Sequence, residues 1–175
     1  MKKRIIALGL LWCLSAVMLQ AARVDTVLVR SAAMNKDVKV VYVLPDKAIG
    51  KQACPVVYLL HGYGGNARSW VQLKPELPQM ADEKGIIFVC PDGKNSWYWD
   101  SPENPAYRYE TFVTSELVKY TDGNYATIPD SKARAISGLS MGGHGALWSA
   151  IRHKDVFGAA GSMSGGVDIR PFQIG

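Results

Sequence analysis

Two short stretches carry the residue types from which acyl-transfer chemistry is built. Ser140 stands in Gly138-Leu139-Ser140-Met141-Gly142, a G-x-S-x-G, between the apolar run Ala133 to Ser137 and the helix-compatible run Met141 to His153. A serine on a sharp strand-to-helix turn presents its hydroxyl to a carbonyl carbon. The turn is so tight that the residues two places away must be small, and Gly138 and Gly142 are. His61-Gly62-Tyr63-Gly64-Gly65 follows a second apolar run, Pro55 to Leu60. A glycine-rich loop at the end of a buried strand can turn backbone N–H groups toward one point, as the oxyanion of a tetrahedral intermediate requires. Tyr63 N–H and Met141 N–H are the expected donors. Either motif alone also fits a plain glycine turn; their order and their place at strand ends point to nucleophilic catalysis.

A serine nucleophile needs a base, and the chain has three histidines. His61 belongs to the glycine loop. His144 lies one helical turn past Ser140, and His153 falls at the end of that helix, where a cation suits the dipole. None fits a base carried on a loop after a later strand, so His144 and His153 are expected as packed or solvated helix residues. Asp168 follows the last expected strand and reads as a loop acid rather than as the group that orients a histidine. Trp97, Tyr98 and Trp99, with Tyr107 and Tyr109 beyond them, either line an acyl or sugar pocket or pin a long loop to the core. No His, Cys, Asp and Glu spacing suggests a metal, and no cofactor is expected. The glycine loop admits one rival reading. Gly62 to Ala67 fits G-x-G-x-x-G/A after a strand, with Asp92 as the acid closing the next one, which is a dinucleotide fingerprint. It lacks the third glycine and leaves Ser140 unexplained.

The elements that must position these residues alternate along the chain. Strands are expected over Asp25 to Ala32 and Val38 to Leu44, joined by a turn at Met34-Asn35-Lys36-Asp37. Pro45 to Ala53 reads as a polar loop. Pro55 to Leu60 and Gly85 to Cys90 are continuous apolar runs, typical of strands buried on both faces. Arg68 to Lys84 has helical spacing broken or delayed by Pro75 and Pro78. Tyr107 to Tyr120 can form an amphipathic helix with Phe112, Leu117 and Tyr120 inward. Ala133 to Ser137 is a strand, Met141 to His153 a helix despite its glycines, and Gly158 to Met163 a short strand. Such alternation implies a mainly parallel sheet covered by helices on both faces. At 175 residues the chain holds one domain at most.

The N-terminus reads differently. Lys2, Lys3 and Arg4 precede an apolar stretch from Ile5 to Leu19 and then Gln20-Ala21-Ala22. That is the order of a cleavable export signal over residues 1–22, and it is short for a membrane span. The expected location is therefore periplasmic or extracellular, with no stable membrane anchor. Removing those three basic residues takes the formal charge from +5 to +2, which is no argument for a nucleic-acid partner. Cys54 and Cys90 remain. They open one apolar strand and close the next, so parallel neighbouring strands would hold them too far apart for a disulfide.

Taken together, Tyr58-Leu59-Leu60-His61-Gly62, Pro91-Asp92-Gly93 followed by Trp97-Tyr98, and the run Ile136 to Ala146 resemble the esterase family of α/β hydrolases. That family groups tributyrin-type esterases, S-formylglutathione hydrolases, feruloyl esterases and mycolyltransferases. The resemblance is closest to the tributyrin/acetyl-esterase branch and covers about residues 25–170. It implies the α/β-hydrolase fold, Ser140 as nucleophile and Tyr63 and Met141 N–H as the oxyanion hole. It also implies an acid and a histidine on loops after two further strands. The chain ends at Gly175 before both, so the expectation is a partial α/β-hydrolase domain over residues 23–175 that lacks the last strands. The implied activity is serine carboxylic-ester hydrolysis of short-chain, acetyl or feruloyl esters. The substrate would be a small molecule or linked to polysaccharide, with Trp97, Tyr98 and Trp99 touching it. The alternative is a catalytically inactive fragment or binding module.

Overall fold

The computed structural model describes residues 22–168. The segment expected as an export signal, residues 1–21, lies outside the described residues. Strands β1 (Arg23–Ser31), β2 (Lys36–Leu44), β3 (Val56–Leu60), β4 (Ile87–Pro91), β5 (Arg134–Leu139) and β6 (Ala159–Met163) form one sheet. Its order is β1-β2-β4-β3-β5-β6. The first two strands are an antiparallel hairpin, and β2 also runs antiparallel to β4. From β4 through β3 and β5 to β6 every pairing is parallel. The chain leaves β3 for β4 on one side and returns past it to β5 on the other. The loops after β3 and β5 therefore meet at a point where the strand order reverses, the usual place for a site in an open α/β sheet.

The helices are α1 (Asp46–Ile49), α2 (Ser69–Leu73), α3 (Leu77–Lys84), α4 (Tyr109–Thr111), α5 (Leu117–Asn124) and α6 (Met141–Arg152). A π-helical turn, Phe112–Glu116, joins α4 to α5. Side chains on successive strand residues point to opposite faces, and the core divides accordingly. Val40, Tyr42, Tyr58, Leu60, Val89 and Ile136 pack with Phe112, Leu117, Met141 and Ala146 on the face that α5 and α6 cover. Val41, Val43, Leu59, Phe88 and Cys90 pack with Trp70, Leu77 and Ala81 of α2 and α3 on the other.

Three expectations need adjustment. The stretch Pro45 to Ala53 is not all loop, because one helical turn, α1, forms there with Asp46 at its start. The hairpin turn falls slightly earlier than Met34 to Asp37. Asn35 adopts a positive φ of 51°, so β2 already begins at Lys36. The helix expected over Tyr107 to Tyr120 carries the π turn. Phe112, Val113 and Thr114 are all buried there in succession, which a straight helix with a single apolar stripe does not allow. Pro75 and Pro78 act as expected. The helix breaks after Leu73, and Pro78 sits in the first turn of α3, where a missing N–H costs nothing.

Cys54 and Cys90 are both free and buried. Tyr58 lies beside Val89 in the parallel register, so Cys90 is level with Leu59, five residues along from Cys54 and roughly 16 Å away. Burial pushes the Cys90 thiol up to about 12. Among the described residues no helix is long and apolar enough to cross a membrane.

Gly123 in α5 has nothing within 4 Å of where a Cβ would stand. Gly123→Ala should therefore raise stability by about 0.5–1 kcal/mol through helix propensity alone. A urea midpoint that falls instead would mean this helix end is not held as described.

Candidate active site

Ser140 sits where β5 ends and α6 begins, with φ 54° and ψ −116°. A non-glycine residue in that region costs about 1–3 kcal/mol and persists only when its surroundings impose it. They do so here from three sides. The Ser140 N–H donates to the Met163 carbonyl at the end of β6, at 2.8 Å. Its own carbonyl accepts from His144 N–H at 3.0 Å, the first turn of α6. Underneath, a Cβ on Gly142 would stand 2.2 Å from the Leu60 carbonyl oxygen, and one on Gly138 would stand 2.3 Å from Gly142 backbone. The helix is thus pressed onto the ends of β3 and β5, and Ser140 is pushed outward. The residue is exposed, and its hydroxyl makes no hydrogen bond among the described residues.

The loop after β3 lies directly alongside. A Cβ on Gly62 would meet Ser140 Cβ at 3.6 Å and the Leu139 carbonyl at 3.4 Å. Tyr63 is next in the chain, with its ring largely exposed. Among the described residues neither Tyr63 N–H nor Met141 N–H donates to any acceptor. The Met141 amide belongs to the open first turn of α6, where the helix dipole also favours negative charge. Gly62, which precedes Tyr63, and Met141, which follows Ser140, thus flank the serine.

What holds the His61–Gly65 loop is the segment leaving β4. Gly93 N–H donates to His61 Nε2 at 2.9 Å. An N–H can only donate, so the ring proton sits on Nδ1, which lies 2.7 Å from the Gly62 carbonyl and donates to it. Tyr98 O–H donates to the His61 carbonyl at 3.2 Å. Gly64 N–H donates to Asn95 Oδ1 at 2.8 Å. The clamping segment is itself strained, with positive φ at Lys94, Trp97 and Tyr98. Asp92 anchors its start. Burial opposes ionisation of that carboxyl, but Lys94, through its ammonium at 2.9 Å and its amide at 3.0 Å, outweighs burial and holds it below the usual range. Lys94 thus engages both Asp92 oxygens.

Asn95 has no signature in the sequence beyond its place in a polar turn, yet it fixes the amide next to Tyr63. If this loop supplies the oxyanion donor that its motif implies, Asn95→Ala should lower kcat toward an activated ester about ten-fold with little change in KM, since a misplaced donor acts on the transition state. Asn95→Asp keeps an acceptor and should retain most of the rate. Equal losses in both variants would show that the side chain does something other than hold Gly64.

The aromatic segment divides. Tyr98 is fully buried, with its ring against Gly93 and Gly145, so it pins the loop and is not a substrate contact; this corrects the expectation for Tyr98. Trp97 and Trp99 are half-buried and open on a cavity of about 360 Å³ that Asn95 and Tyr107 also line. Their other faces meet His144, with ring centroids 5.5 Å apart in each case.

None of the three histidines stands as a base for Ser140. Both His61 nitrogens are engaged, as above. Trp99 indole N–H donates to His144 Nε2 at 2.8 Å, and His144 Nδ1 donates to the Gly166 carbonyl at 2.8 Å. His153 closes the far end of α6, roughly 20 Å along the helix axis from Ser140, and there donates to Glu110 at 2.8 Å. Burial opposes the Glu110 charge, but Arg152, Trp148 and His153 all donate to it and hold its carboxyl below the usual range. Asp168 lies in the loop after β6.

A family profile, Esterase, described as "Putative esterase", matches residues 31–175. The acetyl esterase of Caldicellulosiruptor saccharolyticus is 29% identical over 136 residues, 73% of this chain and 50% of its own length. The diacylglycerol acyltransferase/mycolyltransferase Ag85A of Mycobacterium gordonae is 34% identical over 155 residues, 83% of this chain and 43% of its own. Among solved structures, a ferulic acid esterase superposes with a TM-score of 0.75 at 30% identity, covering 85% of this chain and 62% of that one. The chain spans about half the length of the curated relatives it matches.

Proposed function

The chain belongs to the esterase family of α/β hydrolases, and from that premise we propose that it carries the nucleophile and oxyanion hole of a serine carboxylic-ester hydrolase. Ser140 Oγ attacks the acyl carbon, and the alcohol leaves. Water then releases the acid from the acyl-enzyme. The oxyanion formed in each half-reaction is held by Tyr63 N–H and Met141 N–H. The observation that carries this reading is Ser140 itself: an exposed serine kept at φ 54° on the strand-to-helix turn, against Gly62, with the Tyr63 and Met141 amides donating to no acceptor among the described residues. The cavity beside Trp97, Trp99 and Tyr107 favours an acyl group or sugar with a flat face, consistent with acetyl, feruloyl or other short esters, free or on polysaccharide.

The base that takes the Ser140 proton is none of the three histidines. That observation favours a second reading, a binding module or inactive relative that keeps the elbow without turning over. A rapid-mixing experiment separates the two. The esterase reading expects p-nitrophenyl acetate to release one equivalent of p-nitrophenol in a burst before steady state. No burst and no turnover by the full-length protein would favour the module.

We also infer export, from the basic, apolar and small-residue order at the N-terminus. Protein recovered from its native host should begin near Ala22 or Arg23. An intact Met1 on cytoplasmic protein would contradict it.

A further inference from the structure

On the same edge of the sheet, the start of β2 and the exit of β4 enclose a cavity of about 230 Å³. Lys36, Lys39 and Lys94 line it, with Asp37, Asp92 and Tyr109. The charges are not evenly matched. Lys94 is taken by Asp92 at 2.9 Å, and the Asp37 carboxylate stands 3.5 Å from Arg30. Lys36 and Lys39 pair with no carboxylate among the described residues. Lys36 Nζ donates to the Ala106 carbonyl at 2.5 Å and lies over the rings of Tyr107 and Tyr109. Burial and the neighbouring Lys94 charge hold the Lys36 ammonium below its usual range, with Asp92 acting against them.

Tyr109 supplies an independent observation. It is 1% exposed, lines this cavity, and its hydroxyl makes no hydrogen bond among the described residues. Unlike the Tyr58 hydroxyl, it is not sealed from the cavity. The hydroxyl opens on the cavity and is free to donate to an acceptor bound there. Burial and the nearby Asp92 charge raise its pKa, so it stays a donor at any ordinary pH.

We propose that this cavity binds an oxyanion, a carboxylate or phosphate group, with Lys36 and Lys39 supplying the charge and Tyr109 O–H a hydrogen bond. Strands β2 and β4 are two to three strand spacings from β5, so the site lies on the order of 10–15 Å from Ser140. A carboxylate or phosphate at the far end of an ester substrate reaches that distance, and a free anion also fits. The substrate source rests on the esterase reading; the free-anion source does not.

Calorimetric titration of the full-length protein with inorganic phosphate at constant ionic strength, against sodium chloride, tests the site. Phosphate should bind, Tyr109→Phe should weaken it about ten-fold through one lost hydrogen bond to an anion, and Lys39→Met should weaken it by a similar factor. Neither change removes a contact within the fold, so both variants should keep the wild-type melting temperature. No heat above the chloride control, or wild-type affinity in both variants, would overturn the proposal. Source is decided by kinetics. If the anion belongs to the substrate, Lys39→Met lowers kcat/KM for p-nitrophenyl hemisuccinate about ten-fold and leaves p-nitrophenyl butyrate unchanged. If it is a free ion, both esters are unaffected while phosphate affinity still falls. Inactivity toward both esters with phosphate binding intact would count against the esterase reading and leave the anion site standing.

Discussion

Ser140→Ala should reduce kcat of the full-length protein toward p-nitrophenyl esters by a factor on the order of 10⁴–10⁶, with KM little changed. The fall belongs to the chemical step, because the proposed acyl-enzyme forms on Ser140 Oγ. Stability should move by no more than about 0.5 kcal/mol, since the hydroxyl is exposed and makes no hydrogen bond among the described residues. Ser140→Gly separates strain from chemistry. It should be equally inactive but more stable by about 1 kcal/mol, because glycine relieves the cost of φ 54°. Steady-state kinetics and urea denaturation of the two variants give both numbers. Near wild-type turnover in Ser140→Ala would end the assignment. A Ser140→Gly variant no more stable than Ser140→Ala would mean the turn is not strained.

The second large effect is on folding. Gly142→Ala places a methyl 2.2 Å from the Leu60 carbonyl oxygen, 2.5 Å from its carbon and 2.7 Å from the His61 carbonyl oxygen. These are backbone atoms of β3 and the oxyanion loop, so no side chain can swing aside. Two effects compete. Alanine gains about 1 kcal/mol of helix propensity over glycine. Overpacking costs about 1–3 kcal/mol where side chains can adjust, and more where only backbone can move. The steric effect should win, leaving a net loss of about 2 kcal/mol or more. Any folded fraction should also show reduced kcat, because relief of the clash lifts α6 and Ser140 away from Gly62. The contrast with Gly123→Ala, the same substitution in open space, isolates the cause. If the two variants shifted the urea midpoint alike, close packing of α6 would not be what the Gly138–Gly142 spacing serves.

Much of the site was legible because its constraints are local. Gly138, Ser140 and Gly142 fall within one turn, and the steric demand linking them shows in three letters of sequence. The Leu60–His61 junction reads as a strand end running into glycines for the same reason. The buried strands were legible from their unbroken apolar runs, and Cys54 and Cys90 from their places at opposite strand ends. What stayed hidden depends on contacts between distant segments. Asn95 bonds Gly64 across the two loops, and nothing at either position signals the other. His144 reads as an ordinary helix residue, yet Trp99 and Gly166 hold both its nitrogens. Tyr98 is fully buried where Trp97 and Trp99 are half-buried, which a run of three aromatics cannot reveal. The π turn at Phe112–Glu116 likewise arises from packing against both the sheet and the β1–β2 turn, where Glu116 accepts hydrogen bonds from Ser31 and Ala33.

Ser140 is the residue proposed to take the acyl group. Incubating the full-length protein with a fluorophosphonate probe and mapping the adduct by peptide mass spectrometry tests it most directly. One adduct per chain is expected, on the peptide containing Ser140, absent from Ser140→Ala and slowed in Asn95→Ala. An adduct on another residue, or equal labelling of Ser140→Ala, would contradict it.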